Sequence, residues 1–305
     1  MTSSVTGGWP LALVILLLVA MDSTATGRTG MIHVEEWDEF FLEKIPPEIP
    51  KVLVKGKILD QNRYKPIRQT YKNEARFMTL YDERNKIPVF SAYKYTGHIE
   101  GRSNTNWKPE PQLDAKQQAT IKDWPKGISH DKGHLYPCFH ADSKDDQKST
   151  FMLTNCVPQV ASFNRGRWCQ MENYVKVLMD KYCSNQNNHL EAFVIVGAVP
   201  SDKYMGTVNI PKTLWAAFCC YSKERGRWLA SAHYGANEEV PKDDRKKMKP
   251  ITLAELKTDL NIRPFPNENC LAHSVMPDDP IPEEGENCDF PNNRKKQRIR
   301  FPDSG

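Results

Sequence analysis

The residue types that could do chemistry in this chain gather between Asp131 and Glu172. The run Asp131-Lys132-Gly133-His134 is followed by Leu153-Thr154-Asn155, Pro158-Gln159, Phe163-Asn164-Arg165-Gly166-Arg167-Trp168 and Glu172. A histidine, carboxamides and a carboxylate with turn formers between them are the donor set of metal-assisted phosphodiester hydrolysis. That reaction needs activated water, neutralised phosphoryl oxygens and a stabilised leaving oxygen. His134 is the candidate general base, because imidazole is largely neutral yet basic near pH 7. Asn164 is the candidate metal ligand through its amide oxygen. Mg2+ takes oxygen donors and keeps several waters, which Glu172 can orient from a helix. On a helix Asn164, Trp168 and Glu172, at i, i+4 and i+8, share a face to within roughly 80°, at 100° per residue.

Each residue also has an ordinary structural reading. A lone histidine is more often core or surface than catalyst, Asn155 suits a turn, and Asn164 suits a helix N-cap. Glu172 suits an exposed helix position and Trp168 a core. The conjunction favours the site. A hydrolase with a Ser or Cys nucleophile is a weak reading, since no Gly-x-Ser-x-Gly occurs and cysteines in an oxidising compartment are expected to pair.

The elements that must position these residues follow from periodicity and punctuation. Met78–Tyr81 and Ile87–Tyr93 read as a β-hairpin around the turn formers Asp82-Glu83-Arg84-Asn85-Lys86. Residues 99–130, with Pro109, Pro111 and Pro125, read as a long functional loop leading to His134. Phe151–Thr154 reads as a strand. Trp168–Tyr182 reads as a helix with Met171, Val175, Leu178 and Met179 on one face. Leu190–Val199 is a buried strand, and Thr213–Tyr221 with Trp228–Ala232 forms another strand pair. Strands and helices without a βαβ repeat indicate an α+β fold with a mostly antiparallel sheet flanked by helices.

Around this core the ends differ in character. Leu11–Met21 is an apolar run before Ser23-Thr24-Ala25, so residues 1–25 are expected to be a secretory signal, an uncleaved anchor being the alternative. Residues 26–50, with Pro46-Pro47-Glu48-Ile49-Pro50, read as a linker, residues 51–275 as the folded domain, and residues 276–305 as a disordered tail with a basic cluster, Arg294–Arg300. No second apolar run is long enough to span a membrane, and secretion to the extracellular space is the expectation. Eight cysteines in such a compartment imply disulfides whose pairing stays open, although the adjacent Cys219 and Cys220 are poor partners for each other. No Cys-x2-Cys pair supports structural zinc. The formal charge of +4 is compatible with a polyanionic substrate without requiring one.

The order of Asp131-Lys132-Gly133-His134, Leu153-Thr154-Asn155 with Pro158-Gln159, and Phe163-Asn164-x-Gly166-x-Trp168 resembles the DNA/RNA non-specific endonucleases with a ββα-metal (His-Me finger) core. Phe77–Val89 and Asn106-Trp107-Lys108-x-Glu110-Pro111-Gln112 are similar to a vertebrate branch of that family, and the resemblance covers roughly residues 50 to 260. It implies cleavage of DNA and RNA through their phosphate backbones with little sequence preference, using Mg2+ or, in its place, Mn2+ or Ca2+. It implies His134 as base and Asn164 as metal ligand, with Asn155 and Glu172 in support. The family's arginine before Asn-Trp-Lys is replaced here by Thr105, and Arg102 is its candidate substitute. Lys132 stands where the family has Arg, keeping the charge without the planar fork. Arg165, Arg167, Lys108 and Lys132 are the expected phosphate contacts. The rival reading is a catalytically weak or inactive nucleic-acid-binding or immune-interaction protein on the same fold; the intact His134, Asn155, Asn164 and Glu172 favour the enzyme.

Overall fold

The computed structural model describes residues 38–125, 127–241 and 247–270. The expected signal at 1–25 and basic tail at 276–305 lie outside the described residues. Six antiparallel strands form the central sheet: β1 (Tyr64–Tyr71), β2 (Glu74–Asp82), β3 (Ile87–Tyr95), β6 (Ala192–Val199), β7 (Thr213–Ser222) and β8 (Arg227–Ala236), in the order β8-β7-β6-β3-β2-β1. Between β3 and β6 the chain makes a separate two-stranded ribbon, β4 (His130–His134) against β5 (Cys156–Val160). Helix α1 (Lys144–Ser149) lies inside that excursion, α2 (Cys169–Tyr182) follows it, and α3 (Leu253–Leu260) comes near the end.

Period-two alternation sends the side chains of each sheet strand into two separate cores. Phe77, Tyr93, Tyr95, Val194, Val196, Ala216 and Phe218 face the ribbon and α2. Met78, Leu80, Phe90, Ala92, Ile195, Trp215 and Ala217 face Phe40, Phe41, Leu42, Leu53, Leu253 and Leu256. A sheet covered on both sides needs strands that are apolar throughout, and Ala192–Val199 and Leu214–Cys220 are such runs.

The hairpin is present, longer than expected, with a register shift between Leu80 and Tyr81 beside Pro88. Asp82 fastens its turn: Oδ1 accepts from the backbone N–H groups of Arg84 and Asn85 at 3.0 and 3.1 Å, and Oδ2 accepts from Arg63 at 2.6 Å. Two expectations are corrected and one strand was missed. The segment 26–50 is not a linker where it is described: Phe40, Phe41, Leu42, Pro46 and Pro47 are buried. Glu48 exchanges backbone hydrogen bonds with Arg263 at 2.8 and 3.0 Å. The prolines there shape a packed corner. Phe151–Thr154 is not a strand; Leu153–Asn155 is a 3-10 turn, and the strand starts at Cys156. Strand β1 escaped the sequence reading because Lys65, Pro66, Arg68 and Gln69 suit the edge position that it occupies.

Alternation also explains the cysteines. Neighbours on β7, Cys219 and Cys220 point to opposite faces, and bond Cys270 and Cys183 respectively. Cys169 is disulfide-bonded as well. Cys138 and Cys156 are buried free thiols, so the even count does not translate into complete pairing. Burial pushes the Cys138 thiol up to about 11 and that of Cys156 higher, which leaves both un-ionised and unreactive. Among the described residues no helix is long and apolar enough to cross a membrane.

Gly197 marks the tightest point of the sheet. A Cβ there would lie 2.5 Å from Trp215 Cε2 and 2.6 Å from the carbonyl oxygen of Val89. Gly197→Ala is expected to destabilise the protein by about 1–3 kcal/mol through overpacking. A urea-unfolding midpoint equal to that of the wild type would show that the sheet yields there at no cost.

Candidate active site

On β4 the side chains of His130, Lys132 and His134 share one face of the ribbon, and Asp131 and Gly133 the other. Gly133 is required by its neighbour: a Cβ there would fall 2.7 Å from Cβ of Gln159, whose side chain lies over it. His134, opposite Cys156, is boxed by aromatic rings, with Trp107 at 4.5 Å and Phe151 at 4.8 Å between centroids. Its Nε2 is sealed from solvent without a hydrogen-bond partner. Burial, followed by the charge of Arg102, holds His134 well below the usual histidine range, so the ring is neutral at pH 7.

Arg102, expected to replace the arginine missing at Thr105, lies beside this aromatic box. Its guanidinium carbon stands 5.2 Å from the ring centroid of Phe151, the same ring that contacts His134. Lys132 shares the His134 face of the ribbon and places Nζ 5.3 Å from the centroid of Trp124.

The helical side of the site begins with a helical turn, Ala161–Phe163, and continues into a π-helical turn, Asn164–Trp168. The N–H of Cys169 reaches back five residues to the carbonyl of Asn164, and Gly166 leaves helical geometry. One added residue of this kind in a helix is common at functional sites. It also means that the 100° count expected between Asn164 and Trp168 does not hold, whereas Trp168 and Glu172 keep α-helical spacing: Trp168 Nε1 donates to Glu172 Oε1 at 2.9 Å. Asn164 Nδ2 donates to Asp131 Oδ2 at 2.9 Å, which leaves Oδ1 as the end that can hold a cation. Asp131 therefore orients a candidate ligand, a role that the sequence reading did not give it.

Glu172 is buried, and desolvation lifts its carboxyl up to about 8 against the opposing hydrogen bond from Trp168. Its backbone carbonyl accepts from His140 Nε2 at 3.0 Å, while Nδ1 of that ring accepts from the hydroxyl of Tyr93 at 2.8 Å. Among the described residues no three or more His, Cys, Asp and Glu are grouped to hold an ion. The donors on offer are the carboxamide oxygen of Asn164 and, further along the same helical run, the buried carboxyl of Glu172, a sparse set that suits an ion keeping most of its own water.

Two expected roles change. Asn155 is not placed to touch reacting atoms, because its carboxamide is consumed by the fold. Oδ1 accepts from Ser91 Oγ at 2.9 Å and the N–H of Tyr136 at 3.0 Å, and Nδ2 donates to the carbonyls of Tyr136 at 3.1 Å and Thr150 at 2.9 Å. Arg165 is not an open phosphate contact: it grips Asp131 with Nε at 2.8 Å and with its Nη2. Arg167 is half-buried on the same turn, and Lys108 is exposed with Nζ 5.8 Å from the ring centroid of Tyr71. The aromatic box of Trp107 and Phe151 and the network through Tyr136 and Ser91 were missed. Their signal in the sequence was limited to the proximity of Trp107 to the Asn106-Trp107-Lys108 motif.

The model of the DNA/RNA non-specific endonuclease family matches residues 56–263. The chain belongs to that family. It is 30% identical over 211 residues to human endonuclease domain-containing 1 protein, covering 61% of this chain and 39% of the relative. For the mouse counterpart the values are 32% over 212 residues, 61% and 38%. The chain thus spans about two fifths of the length of these curated relatives. Bovine mitochondrial endonuclease G is 29% identical over 117 residues, 36% of this chain and 38% of the relative. A solved chain of the EndoG/EndoGI complex superposes with a TM-score of 0.51 at 17% identity, over 63% of this chain and 84% of the other, which agrees in fold. In this non-specific endonuclease domain the stretch matched by the family model contains every residue of the site just described.

The lifted carboxyl of Glu172 has a measurable consequence in metal-free protein. The folded state keeps the proton up to about pH 8, while the unfolded chain releases it near 4.5. Stability contributed at this position is full below that lower value and falls through the window as pH rises, by about 1.4 kcal/mol per unit at most. Glu172→Gln should therefore gain on wild type steadily from pH 5 to pH 8 in EDTA, as read by denaturant midpoints. A difference between the two that is flat across that range would show that the carboxylate is ionised in the fold.

Proposed function

We propose that this domain is a secreted, metal-dependent non-specific endonuclease that hydrolyses phosphodiester bonds in DNA and RNA, with His134 as general base. The observation that carries the reading is the His134 ring itself: neutral, packed against the rings of Trp107 and Phe151, with Nε2 buried and unpartnered and a guanidinium beside Phe151. With its proton on the sealed Nε2, the ring offers Nδ1 as a lone pair to a water molecule. Arg102 lowers the basicity of that lone pair in the free protein. A phosphodiester arriving at Arg102 neutralises the charge, so the base strengthens when substrate is present.

Asn164 Oδ1 and the waters ordered by Glu172 would hold Mg2+, Mn2+ or Ca2+, which when bound supplies charge neutralisation at the phosphoryl and leaving oxygens. Asp131 keeps the amide of Asn164 in the required orientation, and Arg165 holds the Asp131 carboxylate in place. Glu172 then gains the counter-charge that its burial lacks. Lys132, Lys108, Arg102 and Arg167 are the groups proposed to meet the nucleic-acid backbone, which requires no base readout. Secretion is consistent with the Cys183–Cys220 and Cys219–Cys270 disulfides, which persist in an oxidising compartment.

The test is cleavage of plasmid DNA and single-stranded RNA with Mg2+, Mn2+ or Ca2+, with EDTA, and with His134→Ala. EDTA should abolish cleavage, and the substitution should lower it by roughly 10²- to 10⁴-fold. Folded wild-type protein that binds nucleic acid but cuts nothing with any of the three ions would replace the enzyme with a binding protein on the same fold.

A further inference from the structure

The segment from His98 to Lys108 carries both groups that wall in His134, Arg102 and Trp107, yet it contains no regular helix or strand. Its far end is fixed by backbone pairing: the N–H of Lys108 donates to the carbonyl of Phe151 at 2.9 Å, and the N–H of Leu153 to the carbonyl of Lys108 at 2.8 Å. Its near end is gripped by the side chain of Gln147, fully buried on α1. Gln147 Nε2 donates to the carbonyl of Gly101 at 2.8 Å and, more weakly, to that of Ile99 at 3.4 Å. Its Oε1 accepts from Ser103 Oγ at 2.9 Å. The carboxamide thus holds the residue before Arg102 and the residue after it.

The post itself is rigid. Ser143 Oγ caps α1 by accepting from the N–H of Asp146 at 3.0 Å, and Arg76 reaches Asp146 at 3.2 Å from β2. The carbonyl of Gln147 accepts from Thr150 Oγ1 at 2.8 Å, and the carbonyl of Thr150 accepts from Asn155. The loop that carries Arg102 is therefore tied into the network beneath His134. A carboxamide is the side chain that meets two carbonyls and a hydroxyl at once; a carboxylate of the same shape would set an oxygen against the carbonyls.

We propose that Gln147 is a positioning residue for the phosphodiester hydrolysis, acting through Arg102: it holds the loop so that the guanidinium stands beside Phe151 and His134. This rests on the nuclease reading above. The experiment is a double-mutant cycle on kcat/KM for plasmid cleavage with Gln147→Ala, Arg102→Ala and the pair, with amide hydrogen exchange over Ile99–Ser103 in the same proteins. Gln147→Ala should lower kcat/KM by roughly ten- to a hundredfold, the scale of misplacing a group by an ångström. The pair should be no worse than Arg102→Ala alone. Exchange at Ile99–Ser103 should quicken in Gln147→Ala. The acid limb of the kcat/KM profile should move to higher pH by the same amount in both single variants. That limb is set by His134, faced by Arg102 from the loop and by Lys132 and Cys156 from the ribbon. Ser103→Ala removes a single bond to the post and should show a smaller loss in the same direction, so the cycle can be completed with it if Gln147→Ala does not fold. Losses that multiply in the pair, or wild-type kcat/KM in both Gln147→Ala and Ser103→Ala, would overturn the positioning role alone. Absence of cleavage by the wild type would overturn it together with the nuclease reading.

Discussion

The carboxamide of Asn155 is the constraint on which the geometry of this molecule turns. Fully buried, it makes four hydrogen bonds: two with the backbone of Tyr136, one with the carbonyl of Thr150 and one with Ser91 on β3. Those partners belong to the exit of the ribbon strand, the end of α1 and the central sheet. Each bond contributes only about 1 kcal/mol net, but an orphaned buried group costs about 1–3 kcal/mol, so the set is cooperative in practice. Once Tyr136 is pinned, His134 two residues earlier has a fixed height above the sheet. Once Thr150 is pinned, Phe151 must turn toward the imidazole, and the segment from Arg102 to Lys108 has a surface to lie on. The placement of His134, its aromatic box and the neighbouring Arg102 is tied to one side chain that never meets solvent.

The central sheet was largely legible because its pattern is monotonous. Ala192–Val199 and Leu214–Cys220 are apolar at every position, which is the signature of strands covered on both faces, and Met78–Tyr81 with Ile87–Tyr93 carry an obvious turn between them. What escaped was local chemistry overridden by tertiary contacts. Strand β1 hides behind charge because it lies at an edge. Phe151–Thr154 has strand propensity, but the backbone is turned by Asn155 and paired to Lys108, so it curls. Pro46 and Pro47 look like a linker until Phe40, Phe41 and Leu42 are seen anchoring the corner.

At the site, residue types were readable and their duties were not. His134, Asn164 and Glu172 stand out as a donor set, and the structure places His134 on the ribbon and the other two along one helical run. Whether an Asn faces a cation or a carbonyl is decided by its neighbours. Asn155 and Asn164 are nine residues apart with the same side chain, yet the first is saturated by backbone groups and the second is held by Asp131 with one end to spare. A π-helical turn cannot be read from periodicity, because a single added residue leaves the downstream pattern intact.

Electrostatics work against this arrangement in the metal-free fold. Glu172 carries a carboxyl lifted to about 8, protonated at neutral pH where water would ionise it, and His134 and His140 are held neutral by burial even in acid, where water would charge them. Each such group costs stability that must come from the two cores. The signs are opposed: acid charges the buried histidines of the unfolded chain more readily than those of the folded one, and alkali ionises Glu172 more readily when unfolded. The metal-free fold is thereby penalised at this site from both directions. On the function proposed, a cation at Asn164 and Glu172 would relieve one side of that penalty, and a phosphate at Arg102 would relieve part of the other by lifting the basicity of His134. Binding of ion and substrate and completion of the proposed catalytic state would then be one electrostatic event, the site strained when empty and preorganised when full.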